Sequence, residues 1–167
     1  YTRIEPGPVV LLTTASGGRS DVMPLSWHSM LDCEPPLIGC VVSDRNHSYS
    51  LLTASGECVI NLPTVEIADK VVGCGNCSGR RTDKFKKFGL TPGPAKLVAA
   101  PLIEECYASL ECRVADTRMV AQYGFFVLRV LKAWLDPAVK QPRTLHHRGY
   151  GSFRVAGESI KLASKMK

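Results

Sequence analysis

Residues 21–61 read DVMPLSWHSMLDCEPPLIGCVVSDRNHSYSLLTASGECVIN, a stretch in which short apolar runs alternate with polar turns. The apolar runs at residues 37–43 and 57–62 are rich in β-branched side chains and are bounded by proline or turn residues. Each run therefore predicts a buried β-strand. Between them, residues 48–54 predict a short helix that Asp44 or Asn46 is able to cap. The stretch thus predicts a strand–helix–strand unit with a polar turn after its first strand.

Outside this stretch, the same reasoning predicts a chain of short strands with a few inserted helices. The further predicted strands are residues 8–14, 22–27, 106–114 and 125–135, and the predicted helices are residues 64–72 and 83–88. Pro24 restricts its strand to a sheet edge or a bulge, and the glycines at 73–79 are expected to end the preceding helix. This order of elements is typical of a mainly β protein with a closed antiparallel barrel. We predict one domain over residues 1–157 and a basic tail over 158–167, either helical or frayed.

Composition and charge narrow the function classes. The chain has 167 residues, of which 45% are hydrophobic and 22% charged, as expected for one globular domain. No apolar run approaches the roughly 18 residues of a membrane span. The net charge of +6 is spread along the chain without a nucleic-acid-binding motif, so it favours anionic ligands or an acidic electron-transfer partner. The odd number of scattered cysteines and the lack of a visible secretory signal indicate a cytoplasmic protein.

The polar turn at residues 43–50 has the chemistry of a phosphate site. Arg45 supplies a forked cationic donor, and the side chains of Asn46, Ser48 and Ser50 add polar groups near the start of a helix. Free N–H groups at a helix start, together with a guanidinium, suit a phosphate. A flat ligand stacked on Trp27 would leave its phosphate at Arg45. The pattern therefore predicts a phosphorylated aromatic cofactor.

Several motifs resemble one protein family. The segments SWHSM…EPPLIGCVVSDRNHSYSLL…ECVINLP, VVGCGNCSGRRTDKFKKFGLTPGPA and APLIEECYASLECRV are similar to the flavin reductase-like, FMN-binding split-barrel family, which includes the flavoredoxins. The resemblance extends over residues 6–157. It implies a six-stranded antiparallel Greek-key split barrel, a homodimer, and FMN at the subunit interface.

The resemblance also implies roles for individual residues. It places Trp27 against the flavin, and Arg45 with Ser48 has the spacing of the family's phosphate ligands. The predicted cofactor-binding residues are Met23, Ser26, Trp27, His28, Ser29, Met30, Cys40, Arg45, Asn46, Ser48, Tyr49, Ser50, Ser78, Gly79, Arg80, Lys84, Tyr123 and Phe153. The loop containing His147 and Arg148 is either an ordinary exposed loop or the mouth of a substrate site.

The chain departs from the family near the expected flavin ring. Asp21 and Met23 stand where the family often has Asn and Thr, and Tyr123 matches a histidine. A carboxylate is unfavourable beside a flavin that becomes anionic on reduction, so Asp21 needs a partner, for which Arg80 is the candidate. Tyr123 still offers a hydrogen-bond donor.

Cys74 and Cys77 form a C-x-x-C motif that has three possible interpretations. The pair is a redox dithiol, half of a zinc site completed by His146 and His147, or incidental. The surrounding glycines at 73–79 follow a helix and lack the spacing of a dinucleotide fingerprint.

The predicted function is an FMN-dependent oxidoreductase that accepts electrons from NADH or NADPH and passes them to an acceptor. No catalytic side chain is assigned, because hydride transfer through a flavin needs no protein nucleophile. One alternative is a flavoredoxin-like electron carrier that works with a protein partner. A second is a thiol or metal redox protein built on Cys74 and Cys77.

Overall fold

The computed structural model describes residue 4 and residues 7–162. The strands, in chain order, are β1 (Val10–Ser16), β2 (Arg19–Leu25), β3 (His28–Cys33), β4 (Pro36–Val41), β5 (Glu57–Leu62), β6 (Pro92–Gly93), β7 (Leu102–Ile103), β8 (Ala108–Asp116), β9 (Phe125–Leu135), β10 (Leu145–Gly149) and β11 (Ser152–Val155). The helices are α1 (His47–Ser55), α2 (Ala68–Gly75), α3 (Lys84–Phe88) and α4 (Val120–Tyr123), and a 3₁₀ turn at Val65–Ile67 precedes α2.

The main sheet contains seven strands in the order β2-β1-β5-β8-β9-β4-β3, and each neighbouring pair is antiparallel. β6–β7 and β10–β11 form separate two-stranded sheets. The mainly β, antiparallel fold class is therefore confirmed. The sheet has one strand more than the six expected, because β3 pairs with β4.

The hairpin between β1 and β2 shifts β2 from its predicted position. Gly17 and Gly18 have φ values of 57° and 74° and form a two-residue turn, after which Ser16 pairs with Arg19. Glycine favours such left-handed conformations, which match the twist of a hairpin. β2 consequently begins three residues earlier than the predicted strand at 22–27, and Asp21 lies inside it. Pro24 is in an edge strand, as predicted.

Three other segments differ from their predictions. Residues 28–33 were not expected to form a strand, because β3 is exposed along almost its whole length and has no apolar alternation. Helix α2 continues past Gly73 to Gly75, and the missing side chain at Gly73 leaves room for the ring of Phe88. Residues 145–155 form the β10–β11 hairpin, which is anchored by the buried Leu145. One interpretation of the sequence placed an exposed loop here.

Strand β1 is buried on both faces, which explains its continuous apolar run. Val10 and Leu12 pack into the barrel interior, whereas Leu11 packs on the opposite face with Val71 of α2 and Phe85 of α3. Fully burying a Val, Leu or Phe side chain contributes about 1.5–3 kcal/mol. This second layer holds α2 and α3 against β1 and β2, and it places the end of α2 beside the edge strand.

Residues 156–162 form neither helix nor strand. Residues 158–162 therefore do not form the helix that was one of the two predictions for the tail. The rest of the predicted tail lies outside the described residues. Within residue 4 and residues 7–162, no helix is long and apolar enough to cross a membrane.

A buried carboxylate fixes the loop that precedes β7. Glu111 on β8 is fully buried and accepts hydrogen bonds from the backbone N–H groups of Lys96 and Leu97 and from the indole N–H of Trp134. Burial alone would raise the pKa of Glu111. These donors, together with the backbone N–H of Val98, outweigh burial and hold this pKa below its ordinary value of 4.5.

We expect Glu111→Gln to lower the free energy of unfolding at pH 7 by about 1–3 kcal/mol, because a neutral amide accepts the same hydrogen bonds more weakly. The lowered pKa means that the native state binds fewer protons than the unfolded state in acid. The contribution of Glu111 is therefore present above pH 4.5 and is lost as the pH falls through its native-state pKa. Urea unfolding of both proteins at pH 7 and at several pH values below 4.5 measures this difference. A pH-independent difference would contradict the assignment.

Candidate functional site

A polar cavity of about 260 Å³ lies beside the edge strand β2. Its lining side chains and backbone come from β2, from the turn before α1, from the end of α2 and from α3. The lining residues are Asp21, Met23, Arg45, Asn46, His47, Gly75, Asn76, Cys77, Ser78, Gly79 and Lys84. The fold thus brings the predicted residues Met23, Arg45, Asn46, Ser78, Gly79 and Lys84 together at one place.

The start of α1 contributes positive potential to this cavity. Asn46 is the N-cap residue, but its side chain does not cap the helix. The first N–H groups of a nine-residue helix are consequently left without a side-chain acceptor, and they carry the positive end of the helix dipole. Arg45, which is exposed, adds a full positive charge beside them. The arrangement suits an anion such as a phosphate.

The floor of the polar cavity is a buried ion pair. The Nζ atom of Lys84 lies 3.2 Å from Oδ1 of Asp21 and donates to the carbonyl of Val22 at 2.7 Å. The hydroxyl of Ser48 donates to Oδ2 of Asp21 at 2.8 Å. All three side chains are almost completely buried. The structure therefore pairs Asp21 with Lys84 and Ser48, where the sequence suggested Arg80.

A second, more apolar cavity of about 280 Å³ adjoins the first. Gly75 and Asn76 line both, and strand β2 continues from one to the other through Pro24. The second cavity also brings together Ser26 and the hairpin residues His147 and Phe153, whose rings lie 5.1 Å apart. We call the two adjoining cavities the β2 groove. Together they reach the size range of about 300–1,000 Å³ that is usual for cofactor sites.

Comparison with known proteins identifies the family. The sequence profile of the flavin reductase like domain matches residues 2–154. An FMN-binding domain of a flavin reductases-like enzyme from Shewanella baltica has a similar structure, with a TM-score of 0.86 and 28% identity over 94% of this chain and 90% of that one. An uncharacterised protein of Archaeoglobus fulgidus is 34% identical over 122 residues, which are 73% of this chain and 69% of the relative. The chain belongs to the flavin reductase-like family.

The flavoredoxin of Methanosarcina acetivorans is another structural relative of this flavin reductase-like chain. Its TM-score is 0.85 at 26% identity, and the match covers 96% of this chain and 90% of that one. The predicted family and the predicted split-barrel fold are thereby confirmed. The individual cofactor contacts remain predictions.

The predicted ring-stacking region of this family member lies at the start of β3. Trp27 and Met30 are each 58% exposed, and Trp27 directly follows Ser26 of the β2 groove. His28 is held through its Nε2 atom, which lies 2.7 Å from the carbonyl oxygen of Pro8. The hydroxyl of Ser29 donates to the neighbouring carbonyl of Met30 at 3.1 Å.

Two further predicted residues pack in or against the barrel core. Cys40 is fully buried, and burial together with the neighbouring Cys112 raises the pKa of its thiol to about 12. Tyr49 is half-buried and packs edge-to-face on Phe126, with 5.7 Å between ring centroids. Both side chains thus contribute to packing beneath the site.

The remaining predicted residues lie at the surface or partly buried around the groove. Ser50 and Arg80 are exposed, and Tyr123 on α4 is 56% exposed. Arg148 is half-buried on strand β10, one residue after His147. Ser48 and Lys84 are the two predicted ligands whose polar groups bond to Asp21 in this structure.

Two polar residues that line the β2 groove were missed by the sequence reasoning. Asn76 lines both cavities, and His47 lines the polar one. The signal for Asn76 was its place within the glycine-rich segment after α2. The signal for His47 was its position between the predicted ligands Asn46 and Ser48.

The zinc reading of the cysteine motif finds no support in the geometry. Among residue 4 and residues 7–162, no group of three or more His, Cys, Asp or Glu side chains is arranged to hold a metal ion. Cys74 is buried, Cys77 is half-buried beside the polar cavity, and both are free thiols.

We expect Gly79→Ala to destabilise the protein by about 1–3 kcal/mol through overpacking. A β-carbon at residue 79 would overlap the carboxylate of Asp21, which is held in place by the buried ion pair. Gly157→Ala is the matched control, since a β-carbon there meets no atom within 4 Å. Urea unfolding measures both variants. Equal stability of the two would show that Asp21 is free to move away.

Proposed function

We propose that this protein is an FMN-dependent oxidoreductase in which the β2 groove holds the cofactor. The observation that carries the proposal is the polar cavity where Arg45 meets the uncapped start of α1. These groups match a phosphate, and the adjoining apolar cavity matches a flat ring system. Bound FMN would supply the two-electron chemistry, while the protein binds it, orients it and limits its contact with water.

Different parts of the β2 groove bind the phosphate, the flavin ring and the substrate. Arg45 and the N–H groups of α1 hold the phosphate, and the buried Asp21–Lys84 pair keeps the floor of the polar cavity in place. Toward the other end, Trp27 covers one face of the flavin ring. His147 faces the second cavity, where a substrate would approach.

A reduced nicotinamide is the proposed electron donor. The flavin-loaded protein should lose the visible absorbance of oxidised flavin within seconds of anaerobic mixing with NADH or NADPH in a stopped-flow instrument. Reduction by one of the two also identifies the preferred nicotinamide. Failure of both to reduce bound FMN would refute the nicotinamide-dependent activity.

A flavoredoxin-like electron carrier is the second candidate, and the net charge of +6 favours it. A positive surface steers an acidic redox protein toward the flavin, and it does so less as salt rises. Under this reading NADH and NADPH reduce the bound flavin slowly. A reduced acidic partner such as a ferredoxin would reduce it rapidly at low salt.

We also propose a homodimer formed through the exposed edge strand β3. Trp27, Met30 and Leu31 are large apolar side chains that lie exposed on or beside this strand. An unpaired strand edge with apolar side chains favours association with another chain. A dimer here would cover the ring-stacking region around Trp27.

We therefore expect Met30→Lys to shift the protein from dimer to monomer and to weaken FMN binding. A charge in the centre of an apolar interface is costly to bury. Sedimentation equilibrium with and without the change measures the association. A wild-type protein that stays monomeric at 100 times the concentration used for FMN titration would contradict the interface.

A cytoplasmic location is part of the same proposal. All seven cysteines, including the exposed Cys33, are free thiols. Free thiols persist in a reducing compartment. Fractionation of cells that express the native gene would test this location.

A further inference from the structure

The C-x-x-C motif spans the junction of the two cavities of the β2 groove. Cys74 lies in the last turn of α2 and is 1% exposed, packed in the outer core layer with Val71 and Phe85. Cys77 lies two residues beyond the helix and lines the polar cavity. The residues between them, 75 and 76, line both cavities. One thiol of the pair is thus accessible, and the other is sheltered behind it.

The helical path of α2 leads up to the residue before Cys77. The backbone N–H of Asn76 donates to the carbonyls of Val72 and Gly73 at 3.2 and 3.1 Å, so the helical path extends beyond α2. The thiol of Cys77 donates to the carbonyl oxygen of Gly73, the residue before Cys74, at 3.7 Å. Side chains three apart on a helix have β-carbons about 5–6 Å from each other. A disulfide requires about 3.5–4.5 Å between β-carbons, so a small movement of one residue suffices.

The environment of Cys74 suits a resolving thiol. Burial raises its pKa to about 11, against a lowering influence of Lys84, while Cys77 and Asp21 raise it further. Cys74 therefore stays protonated and unreactive until a sulfur is presented to it. Cys77, which is half-buried at the cavity wall, is the thiol that a small molecule meets first.

We propose that Cys74 and Cys77 form a thiol–disulfide couple in the wall of the β2 groove, and that the couple exchanges with small-molecule disulfides such as oxidised glutathione. The thiolate of Cys77 attacks one sulfur of the external disulfide and displaces its other half as a thiol. Cys74 then attacks the sulfur of Cys77, and its proton passes to the departing thiolate, which leaves as the second thiol. Two protein S–H bonds become one S–S bond, and the external disulfide is reduced to two thiols.

Disulfide formation changes the polar cavity. An S–S bond is about 2 Å long, and Cys74 is fixed by the packed core, so Cys77 must move toward it. Residues 77–79 line the polar cavity, so a movement of Cys77 changes the shape of that cavity. The oxidised protein should then bind a phosphate-bearing ligand more weakly. This second step rests on the proposed function, since it takes FMN as that ligand.

Mass spectrometry tests the couple without any flavin. Trypsin cleaves after Lys70 and Arg80, so one peptide, VVGCGNCSGR (residues 71–80), contains both cysteines and no other. After equilibration with excess oxidised glutathione and alkylation, we expect this peptide to lack alkyl groups and to be lighter by two hydrogens. Excess reduced glutathione should restore two alkylated cysteines. A peptide that keeps both alkyl groups, or that carries one glutathione, would overturn the proposal.

Cysteine variants distinguish disulfide formation between Cys74 and Cys77 from oxidation of other cysteines. Cys74→Ser should stop the reaction at a mixed disulfide on Cys77. Cys106→Ser is the matched control, because Cys106 is also half-buried but lies away from the groove, and this variant should form the disulfide as the wild type does. Failure of Cys106→Ser to form it would implicate a different cysteine pair and would also overturn the proposal.

Titration with FMN tests the effect on the cavity. We expect the oxidised wild type to bind FMN at least fivefold more weakly than the reduced wild type. Cys74→Ser cannot form the disulfide, so its affinity for FMN should be the same before and after treatment with a non-thiol oxidant. Equal affinities in a wild type that has formed the disulfide would refute the effect on the cavity. Absence of FMN binding in both states would instead refute the proposed function, and the thiol result would stand independently.

Discussion

Arg45→Ala should weaken FMN binding about 10- to 100-fold while barely changing the affinity for riboflavin. Arg45 provides the fixed positive charge of the polar cavity, and hydrogen bonds to charged groups contribute roughly 1.5–3 kcal/mol each. Riboflavin lacks the phosphate, so it does not gain from this contact. Flavin fluorescence during titration of both ligands against both proteins measures the four dissociation constants.

Two further variants act as controls for this result. Arg113→Ala removes the same charge from a surface pair with Glu57 on the sheet, and it should change neither affinity. Trp27→Ala should weaken FMN and riboflavin to a similar extent, because stacking acts on the ring that they share. Equal losses of the two ligands in Arg45→Ala would show that Arg45 is not at the phosphate.

Lys84→Met should lower the free energy of unfolding by about 3–5 kcal/mol. Lys84 is 5% exposed and lies 3.2 Å from the carboxylate of Asp21, which is itself buried. Removing one partner of a buried ion pair leaves the other charge without compensation. Lys70→Met is the control, since Lys70 forms a partly exposed pair with Glu105 at 3.9 Å and should cost much less.

The double variant Asp21→Asn with Lys84→Met tests the cause of this loss. It removes both charges while keeping side chains of similar volume, and Ser48 retains a polar neighbour. We expect most of the stability lost in Lys84→Met to return. A double variant as unstable as the single one would assign the effect to packing of the lysine chain rather than to the unpaired carboxylate. Urea unfolding measures all of these proteins.

The sequence was sufficient for the strands whose side chains are buried in a regular pattern. The predicted strands at residues 57–62 and 125–135 have the bounds of β5 and β9. β3 was missed because an exposed edge strand leaves no apolar alternation, and its pairing with β4 depends on the whole sheet. The position of β2 depended on a glycine turn, which a strand pattern does not fix to the residue.

Part of the lining of the β2 groove was predictable from the sequence, but the contacts inside the groove were not. Arg45 and Asn46 share one turn, so their closeness follows from the sequence. The partner of Asp21 does not, because Lys84 is 63 positions away and reaches it only after α3 packs on β2. The early start of β2 also turns Asp21 into a buried strand residue, so that it faces Ser48.

Equilibrium titration of the flavin-free wild-type protein with FMN tests the central claim most directly. Binding in the β2 groove predicts a saturable change in flavin fluorescence with a dissociation constant in the micromolar range or tighter. It also predicts clearly weaker binding of riboflavin, because the positive groups that line the polar cavity suit a phosphate. A folded protein that binds neither ligand at micromolar concentrations, or that binds both with the same affinity, would contradict the account.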